Sequence, residues 1–252
     1  MRKLGVIGCL VLSTMGWAQL SEVDTLRWQY RFTATGNWSR GNVEQFMLLG
    51  TAEVAHVQER WGFKSATNYQ YGTFFSRQTL GEGIWRNFLY LNPRDRLYPY
   101  LMLWYQQSYQ RGIENRTQVG PGMTYVLLRR NAHVLKVSVT GTYETSTFRT
   151  ARYRERADLS DVVLETWRFT GRLFGEHRMF DGMLRLQYEG WVQPSLTDGE
   201  NLRALVDAGL NVPLKKGFAL RQSFRWSYES VVQQRNTYED LLWTFGISYQ
   251  KP

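Results

Sequence analysis

Apolar and polar residues alternate along most of the chain with a period of two. That period is expected of strands whose two faces meet different surroundings. In Leu135–Glu144, one face carries Leu135, Val137, Val139, Gly141 and Tyr143, and the other Lys136, Ser138, Thr140, Thr142 and Glu144. In Val163–Leu173, Trp167, Phe169 and Leu173 alternate with Thr166, Arg168, Thr170 and Arg172. In Phe180–Gln193, Phe180, Leu184, Leu186, Tyr188 and Val192 alternate with Asp181, Arg185, Gln187 and Glu189. Leu202–Val212 sets Leu202, Ala204, Val206, Ala208, Leu210 and Val212 against Arg203, Asp207 and Asn211. Phe218–Val232 sets Phe224, Trp226 and Tyr228 against Arg221, Ser223, Arg225 and Glu229. These segments run to about ten residues or more, the length a tilted strand needs to cross a bilayer, whereas strands of soluble sandwiches are commonly five or six residues long.

The pattern predicts strands over Leu26–Ser39, Val43–Val57, Trp61–Ser76, Glu82–Leu91, Leu97–Gln110 and Arg116–Leu128 in the first half. In the second half it predicts Val134–Glu144, Val162–Leu173, Met179–Gln193, Leu202–Val212, Phe218–Val232 and Tyr238–Tyr249. About twelve strands fit an all-β, antiparallel up-and-down transmembrane barrel, in which an even count returns both termini to one side. Tight turns are expected at Gln58-Glu59-Arg60, Asn92 to Arg96, Arg129 to His133, Gly175 to Arg178, and Pro213 to Gly217. The opposite set of connections is more variable and includes the longest, Thr145 to Asp161. Short turns on the periplasmic side and longer loops outside are the barrel arrangement. Trp28, Trp38, Trp61, Tyr98, Trp191 and Tyr249 sit near strand ends, where interfacial aromatic girdles are expected. Three segments fit less cleanly. Arg86 shares a face with Ile84 and Phe88, Leu97–Gln110 is aromatic on both faces, and Pro121 removes a ladder donor, which predicts a bulge or local irregularity.

The N-terminus divides the chain into two parts. Arg2 and Lys3, the apolar run Leu4 to Leu12, and Gly16-Trp17-Ala18 read as a secretory signal over residues 1–18, cleaved before Gln19. Residues 19–252 then form the barrel domain. Cys9 is the sole cysteine, and Leu10-Val11-Leu12 follow it, so neither lipidation nor a disulfide is expected in the mature chain. Past the signal there is no apolar run long enough for a transmembrane helix. Mean hydropathy is −0.44, a value open to a barrel because only alternate residues face lipid. The chain of 252 residues carries a net charge of +9 and is 15% aromatic. The basic excess suits anionic lipid or an anionic solute; for an exported chain without a binding motif, nucleic acid is not an expected partner.

Candidate chemistry is sparse. His56, His133 and His177 each flank an expected short turn and read as surface histidines rather than catalytic or metal-binding ones. There is no Gly-x-Ser-x-Gly elbow and no His-Glu-x-x-His motif. The charged set on the expected inner face is more informative. Arg168, Arg172, Arg185, Arg203, Arg221 and Arg225 are the candidate lumen-lining residues, with Asp181, Glu189, Asp207 and Glu229 on the same side. They read either as an arginine track that selects small anionic solutes or as a salt-bridged interior. The loop Thr145–Asp161 holds Arg149, Arg152, Arg154 and Arg156 with Phe148 and Tyr153 between them. Its readings are a site for lipid phosphates or surface polysaccharide and a solvated, mobile loop.

Several stretches together resemble the DUF481 family (YdiY-like, salt-induced outer membrane proteins). Ala34-Thr35-Gly36-Asn37-Trp38-Ser39-Arg40-Gly41-Asn42 is similar to the family's opening strand and turn. Arg116 to Tyr125, with Gly120-Pro121-Gly122, resembles its central glycine-rich strand. Leu210-Asn211-Val212-Pro213-Leu214 with Phe218 to Tyr228 resembles its last hairpin, and Trp243 to Tyr249 its closing strand. The resemblance implies an outer-membrane β-barrel and brings no catalytic or ligand residues with it. The C-terminus departs from the usual aromatic ending, because Gln250-Lys251-Pro252 follow Tyr249. The expected function is a non-enzymatic outer-membrane barrel, structural or a small passive channel, without a cofactor. Its expected partners are outer-membrane lipid and lipopolysaccharide, the barrel-assembly machinery and small anionic solutes. The alternatives are an outer-membrane lipid or peptide hydrolase and a soluble ligand-binding β-barrel.

Overall fold

The computed structural model describes residues 28–41, 44–130, 132–214 and 218–249. The expected signal peptide and the C-terminal Gln250-Lys251-Pro252 lie outside the described residues. The first six strands are β1 (Trp28–Ser39), β2 (Gln45–Val57), β3 (Trp61–Phe74), β4 (Arg77–Leu91), β5 (Leu97–Ser108) and β6 (Ile113–Arg130). They are followed by β7 (His133–Phe148), β8 (Val163–Met179), β9 (Leu184–Pro194), β10 (Leu202–Pro213), β11 (Phe218–Glu229) and β12 (Glu239–Tyr249). Each strand pairs antiparallel with the next, so spatial order follows chain order in a single up-and-down sheet. Among the described residues no ladder joins β1 to β12.

The sheet is strongly curled, because side chains on strands far apart in its order meet on one face. Arg116 of β6 pairs with Glu229 of β11. Trp104 of β5 meets Trp191 of β9 edge to face at 6.1 Å. The curl defines an inner and an outer face, and their chemistry is inverted relative to a soluble protein. Leu101, Leu103, Val119, Met123, Val139, Phe169 and Leu173 lie exposed outside, while Gln118, Thr142, Glu144, Arg168 and Gln193 are buried. A water-soluble fold hides the first set and exposes the second. Strands of 11 to 18 residues with this polarity match lipid outside and a polar interior.

Several boundaries move from where the alternation alone would set them. Phe75 and Ser76, expected inside a strand, form a two-residue hairpin with φ of 46° and 58°, so β4 begins at Arg77. Such a turn normally announces itself through glycine or asparagine, and neither is present. The tight turn expected at Gly175 to Arg178 lies instead within β8, and the reversal falls on Phe180, Asp181 and Gly182, all at positive φ. Asp181 is therefore a turn residue and leaves the inner charged set.

Pro121 breaks no register. Val119 faces Tyr143 and Gly122 faces Thr140 in the same frame, and the shifts on β6 fall at Ile113/Asn115 and Val126/Leu128. The glycines beside Pro121 serve close packing. A Cβ at Gly120 would strike the backbone of Gly141 and Thr142, and one at Gly122 would enter the Tyr100 ring. Tyr100 of β5 crosses this bare stretch of β6 to hydrogen-bond Thr140 of β7 at 2.5 Å. Replacing Gly122 with alanine displaces that ring, and overpacking of this kind costs about 1–3 kcal/mol. The urea midpoint of detergent-folded Gly122→Ala should fall accordingly. An unchanged midpoint would show that the Tyr100 crossing is not a tight constraint.

Candidate functional site: the inner face

The inner face is built from alternate residues of long strands, which bring charges from five strands to one level. Glu144 of β7 lies at its centre. Arg168 of β8 donates to its carboxylate at 3.0 Å, Arg203 of β10 donates to it, and the Arg116 guanidinium approaches to 3.8 Å. Gln118 donates at 2.6 Å and Ser146 at 3.1 Å. Around this group Arg168 also donates to Asn201 at 2.8 Å, and Arg203 to Gln193 at 2.5 Å. Gln193 passes its amide protons to Gln118 at 3.1 Å and Thr170 at 2.7 Å. On the far side Arg116 pairs with Glu229, which also accepts from Arg111 at 3.3 Å. Gln118 has no exposed surface, and Arg116, Glu144 and Arg168 each keep 2%. Buried charges persist when they are matched and hydrogen-bonded, and here the carboxylates are saturated with donors.

Beyond this level, toward the short turns, lies a cavity of about 350 Å³. Its wall carries Arg172, held by Glu189 through two hydrogen bonds of 3.0 Å, and Arg225, held by Asp207. Phe88, Tyr100, Trp104 and Trp191 supply an aromatic side. Toward the long loops the interior is covered. Tyr153 bridges to Gln233, Arg154 N donates to Val232 O at 2.9 Å, and Gln234 N to Arg152 O at 3.0 Å. Ile113, Phe148, Tyr153 and Val231 form an apolar cluster beneath this junction.

The six candidate arginines are distributed as follows. Arg168 and Arg203 join the Glu144 network; Arg172 and Arg225 line the cavity in ion pairs. Arg185 lies toward the β8–β9 turn, 3.5 Å from Glu176. Arg221 pairs in register with Asn211, and its side chain lies outside the described residues. An anion track of unpaired arginines is not what these five described side chains form; each has a carboxylate. Sequence reasoning missed Glu144 as the hub, Arg116 as its partner, and Arg86, which lines the cavity. The odd placement of Arg86 among Ile84 and Phe88 was the available signal.

Other expectations also change. The loop after β7 is packed rather than free. Arg156 is clamped by Asp158 at 2.8 Å and Asp198 at 3.0 Å, which raises its pKa and lowers that of Asp158. Burial beside Asp161 pushes the Tyr153 phenol up to about 12. The histidines are not simple surface residues. His56 packs between Trp28 and Trp61, while His133 and His177 meet at 3.1 Å, and Tyr188 completes that group at 2.8 Å. Trp28, Trp38 and Trp61 are exposed near strand ends, as a girdle requires. Tyr98 and Trp191 are inner-face residues instead, because strand parity turns them inward.

The DUF481 family profile, described as a protein of unknown function, matches residues 32–250. The chain belongs to the DUF481 family. No curated protein matches it. Among solved structures the NanC porin, in a rhombohedral crystal form, aligns with a TM-score of 0.50 at 8% identity, over 88% of this chain and 98% of that one. At that identity the likeness carries the fold alone: this DUF481 chain has an all-β, porin-like sheet.

Removing one partner from a buried charge cluster strands the others, at a cost of about 3–5 kcal/mol. Glu144→Gln leaves three arginines facing a neutral amide, so its urea midpoint should drop far more than that of Arg185→Gln at the turn end. Equal midpoints would contradict the hub role of Glu144.

Proposed function

We propose that this DUF481 protein is a non-enzymatic outer-membrane β-barrel, delivered through its N-terminal signal, whose lumen is interrupted rather than freely open. In this reading the edges of β1 and β12 meet and close the sheet, since no unpaired strand edge is tolerated in lipid. The observation that carries it is the inverted polarity of the curled sheet, apolar outside and charged within. The porin-like fold and the family membership support the same location.

The interruption rests on the Glu144 network, whose side chains are sealed from solvent, and on the two zipped loops above it. The same chemistry supports a non-enzymatic role. A carboxylate that works as an acid or base has to exchange protons with a substrate, whereas Glu144 and Glu229 are each committed to guanidinium groups. The partners in this reading are outer-membrane lipid and lipopolysaccharide around the wall, the barrel-assembly machinery during insertion, and small anions in the cavity.

The test is fractionation together with gel migration before and after boiling. The protein should sediment with the outer membrane and migrate faster unboiled than boiled. A protein that stays folded and monodisperse without detergent would contradict the membrane reading.

A further inference from the structure

Arg86 lies in β4, opposite Ala66 of β3 and Trp104 of β5, and lines the inner cavity. Its guanidinium lies 5.8 Å from the centroid of the Trp104 ring. Among the described residues no carboxylate is in ion-pair contact with it, Glu189 and Glu53 acting on it only from farther away, and its buried Nε has no hydrogen-bond partner. The neighbouring cations differ, since Arg172 and Arg225 are each neutralised by their own carboxylate. An unmatched guanidinium in a confined site is costly unless something supplies acceptors. Its planar fork matches a carboxylate side-on through two parallel hydrogen bonds.

The surroundings specify what else such a ligand carries. Trp104 and Trp191 meet edge to face, and Phe88 meets Tyr100 at 5.9 Å, so an aromatic wall adjoins the guanidinium. The cavity volume of about 350 Å³ is in the range of small-molecule sites. The Arg86 fork offers its donors to one carboxylate, while the acids of the same wall, Glu53, Glu82 and Glu189 among them, disfavour a divalent phosphate. We propose that the cavity binds a small aromatic carboxylate, with the carboxylate on Arg86 and the ring against Trp104 and Phe88. This inference rests on the reading of the interior as a lumen interrupted at Glu144, which makes the cavity a cup filled from the short-turn side.

Isothermal titration of the detergent-folded protein with benzoate, benzamide, acetate and inorganic phosphate tests it. Benzoate should bind at one site, with the other three weaker by roughly tenfold or more, since each lacks the charge, the ring or the geometry. Arg86→Gln should weaken benzoate by roughly tenfold or more, while Arg185→Gln leaves it unchanged. Benzamide binding as well as benzoate, phosphate binding better, or parent-like affinity in Arg86→Gln would each overturn the proposal. If Arg86→Gln does not fold, Arg86→Lys keeps the charge without the fork and should weaken benzoate measurably; unchanged affinity overturns the site. Parent protein that shows heat-modifiable migration but takes up no benzoate removes the site and leaves the barrel reading intact. Loss of heat-modifiable migration in the parent strikes the barrel reading instead.

Discussion

The Glu144 carboxylate holds the interior of this protein together. Its two oxygens collect donors from Arg168, Arg203, Gln118 and Ser146, side chains that belong to four different strands. Arg116 approaches the same carboxylate and carries the network across to Glu229 on β11. A sheet with its apolar residues outside cannot use an oily core to set its curvature. Matched charge and directional hydrogen bonds take that part, and they demand one geometry because every unsatisfied group inside is expensive. The curl of the sheet and the filling of its interior are therefore one problem with one solution.

The remainder of the interior is arranged around that level. On one side two loops zip together over an apolar cluster of Ile113, Phe148, Tyr153 and Val231, so the long-loop end is covered by packing rather than by charge. On the other side the wall opens into the cavity, where Arg172 and Arg225 each contact a carboxylate and Arg86, among the described residues, contacts none. The bare backbone at Gly120 and Gly122 admits Tyr100 and lets β5 and β7 touch across β6. Pro121 between them points outward and costs no register.

Strand identity and facing were legible in the sequence where the alternation is long and unbroken. Lys136 to Glu144 and Thr166 to Arg172 sit inward as their parity requires. Turns were less legible where the chain reverses on residues that do not advertise it, as at Phe75-Ser76 and Phe180-Asp181. Family membership could be read from the order of short motifs, none of which is distinctive alone. The pairing of the arginines could not be read at all. Which carboxylate meets which guanidinium depends on the curl, and the curl brings together residues 113 positions apart, as in Arg116 and Glu229. Arg86 was visible as an anomaly on its strand, but that no described carboxylate contacts it is a property of the assembled interior.

Conductance of the purified, heat-modifiable protein in a planar bilayer tests the central claim most directly. With the Glu144 network intact across the lumen, insertion should produce no steady open-pore current over the voltage range at which porins conduct. A stable, ohmic conductance in the parent protein would contradict it, because ions would then be passing the level at which Arg116, Gln118, Glu144 and Arg168 are buried.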